Sequence, residues 1–380
     1  MMAAHSVECV DTDGAEMRAA PWRDLCSRAI EGNVFAEPGF LIPAARHLGP
    51  RALQFLMVWS DGDKRRLVGV MAIEPPRRIF GVVPVWRSDQ AGLAAIVLDR
   101  DGADGAFQSA ADWLRRERPQ TAGLFVPTLA ANGETARLLA AFAARWNLPF
   151  FQANASQRAI LGAARDERAR FECALSGRRL KEWRRLRRRL EEGGPLVFRS
   201  ALEAEAARRA SETFLALEPK NWKGRGGAPL GGDQARAAFA RSMLANLANE
   251  GKARIDSLER AGAPVAMGVV LSSKDRAFYW KTAYDEGFAE FSPGVLLTLD
   301  ISRKQQDDPK TAATDSCAIE GHPMIERLWT ERLGLVDCLV AIRPGGARQL
   351  KAWLIQRDLD RRLKEGAKRL LFPLLGRKRS

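Results

Sequence analysis

The sequence predicts an α/β protein of two related halves, each a mixed, mainly antiparallel sheet flanked by helices. Length, an internal repeat and two alternating hydrophobic periods lead to that expectation. At 380 residues the chain exceeds what one hydrophobic core usually serves, so two domains are expected. A strand–turn–strand–strand pattern occurs twice, and helical spacing surrounds its second copy.

In the first copy, residues 53–59 lead through Asp61-Gly62-Asp63 into 67–73, followed by a third strand at 79–83. In the second, 253–258 lead through Ala261-Gly262 into 264–271, followed by 277–280. Apolar runs rich in β-branched and aromatic residues, broken by glycine and aspartate, read as hairpins. Apolar residues three and four apart predict helices over 203–217, 234–249, 295–303 and 324–333. Strands alternating with helices place the chain in the α/β class. The boundary is expected near 152–166, dividing the chain into domains at 1–160 and 161–345 and a basic helical tail at 346–380. The glycine-rich stretch 224–232 is too long for a tight turn and reads equally as a lid or a surface loop.

Composition narrows the function classes. No run approaches the roughly 18 apolar residues of a membrane-crossing helix. Glu8, Asp11, Asp13 and Glu16 stand where a secretory signal needs basic residues and then an apolar run, so a cytoplasmic protein is expected. Five cysteines without a CxxC pair, and three histidines without an HExxH arrangement, argue against a disulfide framework, a metal site and a Ser/His/Asp hydrolase. The net charge of +14 is local: residues 176–190 hold eight cations against Glu182 alone, and 343–380 hold twelve against Asp358, Asp360 and Glu365. The remainder is slightly acidic, so the basic character belongs to two elements.

The second half carries Asn221-Trp222-Lys223-Gly224, Pro264-Val265-Ala266, Thr282-Ala283-Tyr284-Asp285, Phe291-Ser292-Pro293-Gly294, Asp315-Ser316-Cys317 and His322-Pro323-Met324, preceded by the basic helix 180–190. In order and spacing these resemble a GNAT-related acyltransferase family associated with cellulose and other exopolysaccharide synthesis, itself similar to the Fem-type aminoacyltransferases. The first half matches more loosely, through its repeat and Trp86-Arg87-Ser88-Asp89. The resemblance implies tandem GNAT-like domains, an acetyl-CoA or other acyl-CoA donor, and a polysaccharide, nucleotide-sugar or lipid-linked sugar precursor as acceptor.

A strand ending at Tyr284-Asp285 and turning into a helix near Gly294 presents unpaired N–H groups that suit a pyrophosphate, with Ser292 as cap and Val295 and Leu296 in the first turn. An ordinary capped helix has the same spacing. The GNAT phosphate loop reads Arg or Gln, two residues, Gly, one residue, then Gly or Ala; here Phe291, Gly294 and Leu296 hold those places, which leaves an aminoacyl-tRNA donor open. Asp285 is the leading base or amine ligand, Asp315 a weaker one, Tyr284 an acid for the leaving thiolate, and Trp222 and Lys223 substrate contacts. His322 is an acid or base only if it is more than a loop histidine. Each of the acidic residues reads equally as a turn or cap residue.

Leu180, Trp183, Leu186 and Leu190 make the basic run an amphipathic helix whose arginine face suits phosphate groups, as on tRNA, nucleotide-sugars or lipids, or plain solvent. The tail can lie on an anionic membrane or pack on its own domain. A non-catalytic nucleic-acid or membrane-binding module on a GNAT scaffold stands as the alternative outside enzymes.

Overall fold

The computed structural model describes residues 5–61, 65–76, 79–164, 166, 170–221 and 230–376. Its strands are β1 (His5–Val10), β2 (Gln54–Ser60), β3 (Leu67–Ile73), β4 (Val82–Pro84), β5 (Ile96–Leu98), β6 (Gly123–Ala130), β7 (Phe150–Gly162), β8 (Leu196–Ala201), β9 (Ala253–Arg260), β10 (Ala263–Ser273), β11 (Arg276–Tyr284), β12 (Ala313–Asp315) and β13 (Glu331–Ala341). The helices are α1 (Thr12–Met17), α2 (Ala19–Arg28), α3 (Pro38–Leu48), α4 (Ala103–Glu117), α5 (Glu134–Arg145), α6 (Gly177–Glu191), α7 (Ala204–Leu217), α8 (Gln234–Asn249), α9 (Pro293–Asp307) and α10 (Ala347–Gly376).

The chain is α/β with mixed, mainly antiparallel sheets flanked by helices, as the periodicities imply. One sheet runs β1-β2-β3-β5 and the other β4-β6-β13-β7-β12-β11-β10-β9-β8. Each half contains one parallel pair joined through a helix: β4 and β6 through α4, and β11 and β12 through α9. A parallel pair needs such a crossover because a hairpin cannot reverse the chain twice. The halves also exchange strands. β13, from the end of the chain, lies between β6 and β7, while β7 continues outward to β12. The sheet therefore runs unbroken through β7, where the sequence pattern shifts from one half to the other.

Two expected elements differ. Residues 324–333 form no helix: a 3-10 turn covers Ile325–Arg327, and Glu331 begins β13. Pairing of Glu331, Arg332 and Leu333 with Ile160, Ala159 and Arg158 of β7 overrides the local helical spacing there. In the first repeat the third strand is only Val82–Pro84 and joins β6 instead of β3, whose partner is β5. Gly81, at φ +60°, turns the chain there; a Cβ would meet the Gln120 carbonyl oxygen at 2.2 Å.

A shared aromatic core joins the halves. Phe35 and Phe40 of the first half interleave with Phe239, Phe278 and Trp280 of the second, with centroid separations of 5.0 Å for Phe35–Phe40, 5.1 Å for Phe35–Phe278, 5.4 Å for Phe40–Phe239 and 6.3 Å for Phe40–Trp280. All are edge-on, the arrangement that ring quadrupoles favour. Because this core belongs to both halves, Phe40→Ala should cost about 3–5 kcal/mol and leave one cooperative transition. Urea unfolding followed by tryptophan fluorescence and by far-UV circular dichroism checks this; two separated transitions would show that the halves unfold independently.

Candidate functional site

The site is built where β11 and β12 part. They pair only over Arg276–Phe278 and Ala313–Asp315. β11 then runs on to Tyr284, six residues or about 20 Å, with β10 beside it on one edge and, among the described residues, no strand on the other. A bulge begins this divergence: Val269 faces Lys281 but Val270 faces Tyr279, so Trp280 is the extra residue. Trp280 is held from the first half, its indole N–H donating to the Gln90 carbonyl at 2.8 Å.

At the far end of the gap stands the N-terminus of α9. Ser292 is left-handed (φ 51°, ψ 52°) and its side chain makes no capping bond, contrary to the capping role expected from the sequence. Its carbonyl instead accepts from the N–H of Val295 at 2.9 Å and Leu296 at 3.2 Å. Pro293 has no N–H, so Gly294 carries the first-turn amide without an intrahelical acceptor. Leu296 is buried, whereas Val295 is partly open. A Cβ on Gly294 would meet Tyr284 Cδ1 at 3.4 Å and Met324 Sδ at 3.7 Å, both ordinary contacts. The glycine is thus not required by the protein's own packing. The Arg189 guanidinium lies 5.2 Å from the Phe291 ring centroid and pairs with Glu290 of the same turn at 3.0 Å, so its charge there is offset.

The structure brings Tyr284 and Asp285 to this helix end but leaves Asp315 at the closed end of the gap. Asp285 caps the 3-10 turn Glu286–Phe291, accepting from the Gly287 N–H at 2.9 Å. Asp315 is buried in an ion pair with Arg158, which also donates to the Gly92 carbonyl at 3.1 Å. Its other oxygen accepts from the Cys317 N–H at 2.9 Å, so its partners are structural. His322 has its pKa lowered by burial, and its Nδ1 is buried without a hydrogen-bond partner among the described residues. Trp222, Lys223 and most of the glycine-rich stretch lie outside the described residues. Tyr279 is a core residue: burial pushes its hydroxyl up to about 12, and it bonds Thr298 Oγ1 at 3.1 Å.

A further group escaped sequence reasoning. Lys281, next to the bulge, makes no salt bridge among the described residues, and burial lowers its pKa against the pull of Glu218. Glu218, at the end of α7, is 5 % exposed; burial raises its carboxyl, opposed by Lys281 and by the Leu230 N–H that it accepts at 2.6 Å. Asp89 lies within electrostatic reach of Lys281 and pairs with Arg236 at 2.7 Å. Burial holds Cys317 well above the usual thiol range, so it is a thiol and not a thiolate. Burial disfavours the charged form of both the lysine and the glutamate, and the two lie within electrostatic reach of each other, which makes them candidates for moving protons.

A family model described as an acetyltransferase (GNAT) domain matches residues 176–308, from α6 through α9. No curated protein matches the sequence. Among solved structures, the chain resembles FemX (TM-score 0.55, 9% identity, covering 87% of this chain and 96% of that one). It likewise resembles the C-terminal domain of a lysylphosphatidylglycerol synthetase from Agrobacterium fabrum (TM-score 0.53, 9% identity, 89% and 94% covered). A conserved protein of unknown function from Bacteroides thetaiotaomicron gives a TM-score of 0.51 at 10% identity, with 86% and 97% covered. These likenesses establish a shared fold over nearly the whole chain. The match over residues 176–308 to an acetyltransferase domain supports an acyltransferase.

Two outcomes follow from this geometry. Gly294→Ala should leave stability unchanged or raise it by up to about 1 kcal/mol, while weakening the binding of any donor that rests its phosphates on that turn; thermal unfolding and calorimetric titration separate the two effects. Glu218 has a folded pKa above its ordinary 4.5, so its stabilising proton is lost as pH rises through the folded value. Wild type should therefore lose stability relative to Glu218→Gln between pH 4.5 and 7, measured by denaturant unfolding at both pH values.

Proposed function

We propose that the protein transfers an acyl group from an acyl-CoA, such as acetyl-CoA, to an amino or hydroxyl group of a sugar-bearing cell-envelope or exopolysaccharide precursor. The gap between β11 and β12 carries this reading. It joins a helix N-terminus able to bind phosphates, at Gly294, to an acid–base pair at Lys281 and Glu218 about 10 Å away along β11. The unpaired edge of β11 offers backbone N–H and C=O groups to the amide-containing arm of such a donor. The sugar acceptor rests on the sequence resemblance alone.

With the donor's phosphates at Gly294 and Ser292, Tyr284 and Asp285 lie beside its head group, and the thioester reaches toward Lys281. Glu218 then accepts the proton of the attacking amine or hydroxyl as the new bond to the acyl carbon forms. The Lys281 ammonium stabilises the negative charge gathering on the carbonyl oxygen until the thiolate departs. Trp222 and Lys223, a few residues beyond Glu218, remain candidate contacts to the acceptor. This reading gives the base role to Glu218 in place of Asp285.

A second reading, transfer from an aminoacyl-tRNA, is favoured by one observation. Arg178, Lys181, Arg184, Arg185 and Arg188, with Glu182 among them, share an exposed surface of α6, and apart from Arg185 none of the five cations has a carboxylate partner among the described residues. That surface and the fold shared with FemX suit a phosphate-rich donor.

Titration calorimetry with a panel of acyl-CoA donors tests the first reading, which fails if none binds; tight binding of tRNA that weakens steeply with salt would favour the second. Glu218→Gln should slow turnover by about a hundredfold or more. Asp285→Asn, which keeps the turn's cap, should change it by no more than about threefold. The reverse ranking in steady-state kinetics would return the base role to Asp285.

A further inference from the structure

The helix α10, thirty residues and about 45 Å long, is docked on one of its two apolar faces over its described side chains, which end at Leu363. On the inner face Leu350 and Trp353 are buried, and Trp353 packs on Phe125 at 4.6 Å between centroids. Arg357 stacks over Phe125 at 4.1 Å and pairs with Asp337 at 2.7 Å. On the outer face Ile355, Leu359 and Leu363 are 63 %, 54 % and 70 % exposed. Spaced four apart, they share an arc of about 80°, and Arg357 lies roughly 200° from Ile355, so this stripe points away from the body of the protein. Leu370, seven residues on, falls in the same arc by sequence. The protein's own domain cannot cover this face while the inner one stays docked.

We propose that the outer face of α10 is a membrane-docking surface that lays the helix flat on an anionic lipid bilayer. Charge selects the occupant. Residues 343–380 carry twelve cations and three carboxylates, and one of those, Asp358, is already paired with Arg361 at 2.6 Å and Arg362 at 2.7 Å. An anionic surface complements that surplus and receives the apolar stripe between its head groups. A second copy of the helix brings the same surplus against itself, with too few carboxylates to offset it. No helix among the described residues is long and apolar enough to cross a membrane, which leaves α10 to lie on one.

Flotation of the full chain with phosphatidylcholine vesicles, with and without phosphatidylglycerol, tests the proposal. Wild type should float with the anionic vesicles, less so at high salt, and stay behind with the neutral ones. The triple variant Ile355→Ser, Leu359→Ser, Leu363→Ser removes only solvent-facing side chains and should float at least about tenfold more weakly, with unfolding unchanged. Reversing charge with Arg361→Glu and Arg362→Glu should weaken flotation as well. Equal flotation of wild type and triple variant would overturn the proposal. So would concentration-dependent self-association, seen in sedimentation, that the triple variant abolishes while wild type ignores vesicles.

Discussion

The pairing of β7 with β13 holds the molecule together. These strands come from the ends of the two halves, and each completes the sheet alongside the other half. Their register shifts between Leu335 and Asp337, where the buried Asp337 accepts from the Thr128 N–H at 2.8 Å, Asn154 Nδ2 at 2.6 Å and Arg357 at 2.7 Å. A carboxylate buried at a strand irregularity is tolerated because its oxygens are met by such donors. The same aspartate fixes the base of α10, so the seam orients the helix whose far face remains open.

From this seam the architecture of the site follows. The sheet's continuity places the first half's loop at Gln90 against Trp280, and the aromatic core locks that indole from the other side. The bulge at Trp280 is thereby fixed by residues from both halves. It turns Lys281 toward Glu218 and Asp89 at the point where β11 leaves β12. The first half thus supports the second half's strand from the side, through the Gln90 carbonyl.

Much of this was legible in the sequence. The hairpins, α7, α8 and α9 follow from hydrophobic period, and the turn at Ser292-Pro293-Gly294 from residue type, because those signals are local. Two things were not. Residues 324–333 show helical spacing, and only pairing with β7, from a distant part of the chain, makes 331–333 strand. Lys281 and Glu218 belong to no motif in the sequence, since nothing local announces that a bulge will half-bury a strand lysine. Asp315 read as a possible base on residue type alone, and its burial against Arg158 depends on β12 meeting β7. Ser292 was expected to cap α9 through its hydroxyl, but its left-handed backbone turns the carbonyl to that task.

The exchanged strands carry a consequence for biogenesis. β6 and β7 emerge during synthesis well before residues 331–341, yet the space between them belongs to β13. Until residues 331–341 have been made, the N-terminal half presents two facing strand edges with no partner among the described residues, the kind of surface that invites pairing with other nascent chains. Its native sheet can close only after translation has passed residue 341. A chain stopped short of that point would therefore leave both halves open at once, and would be a substrate for chaperones and proteases.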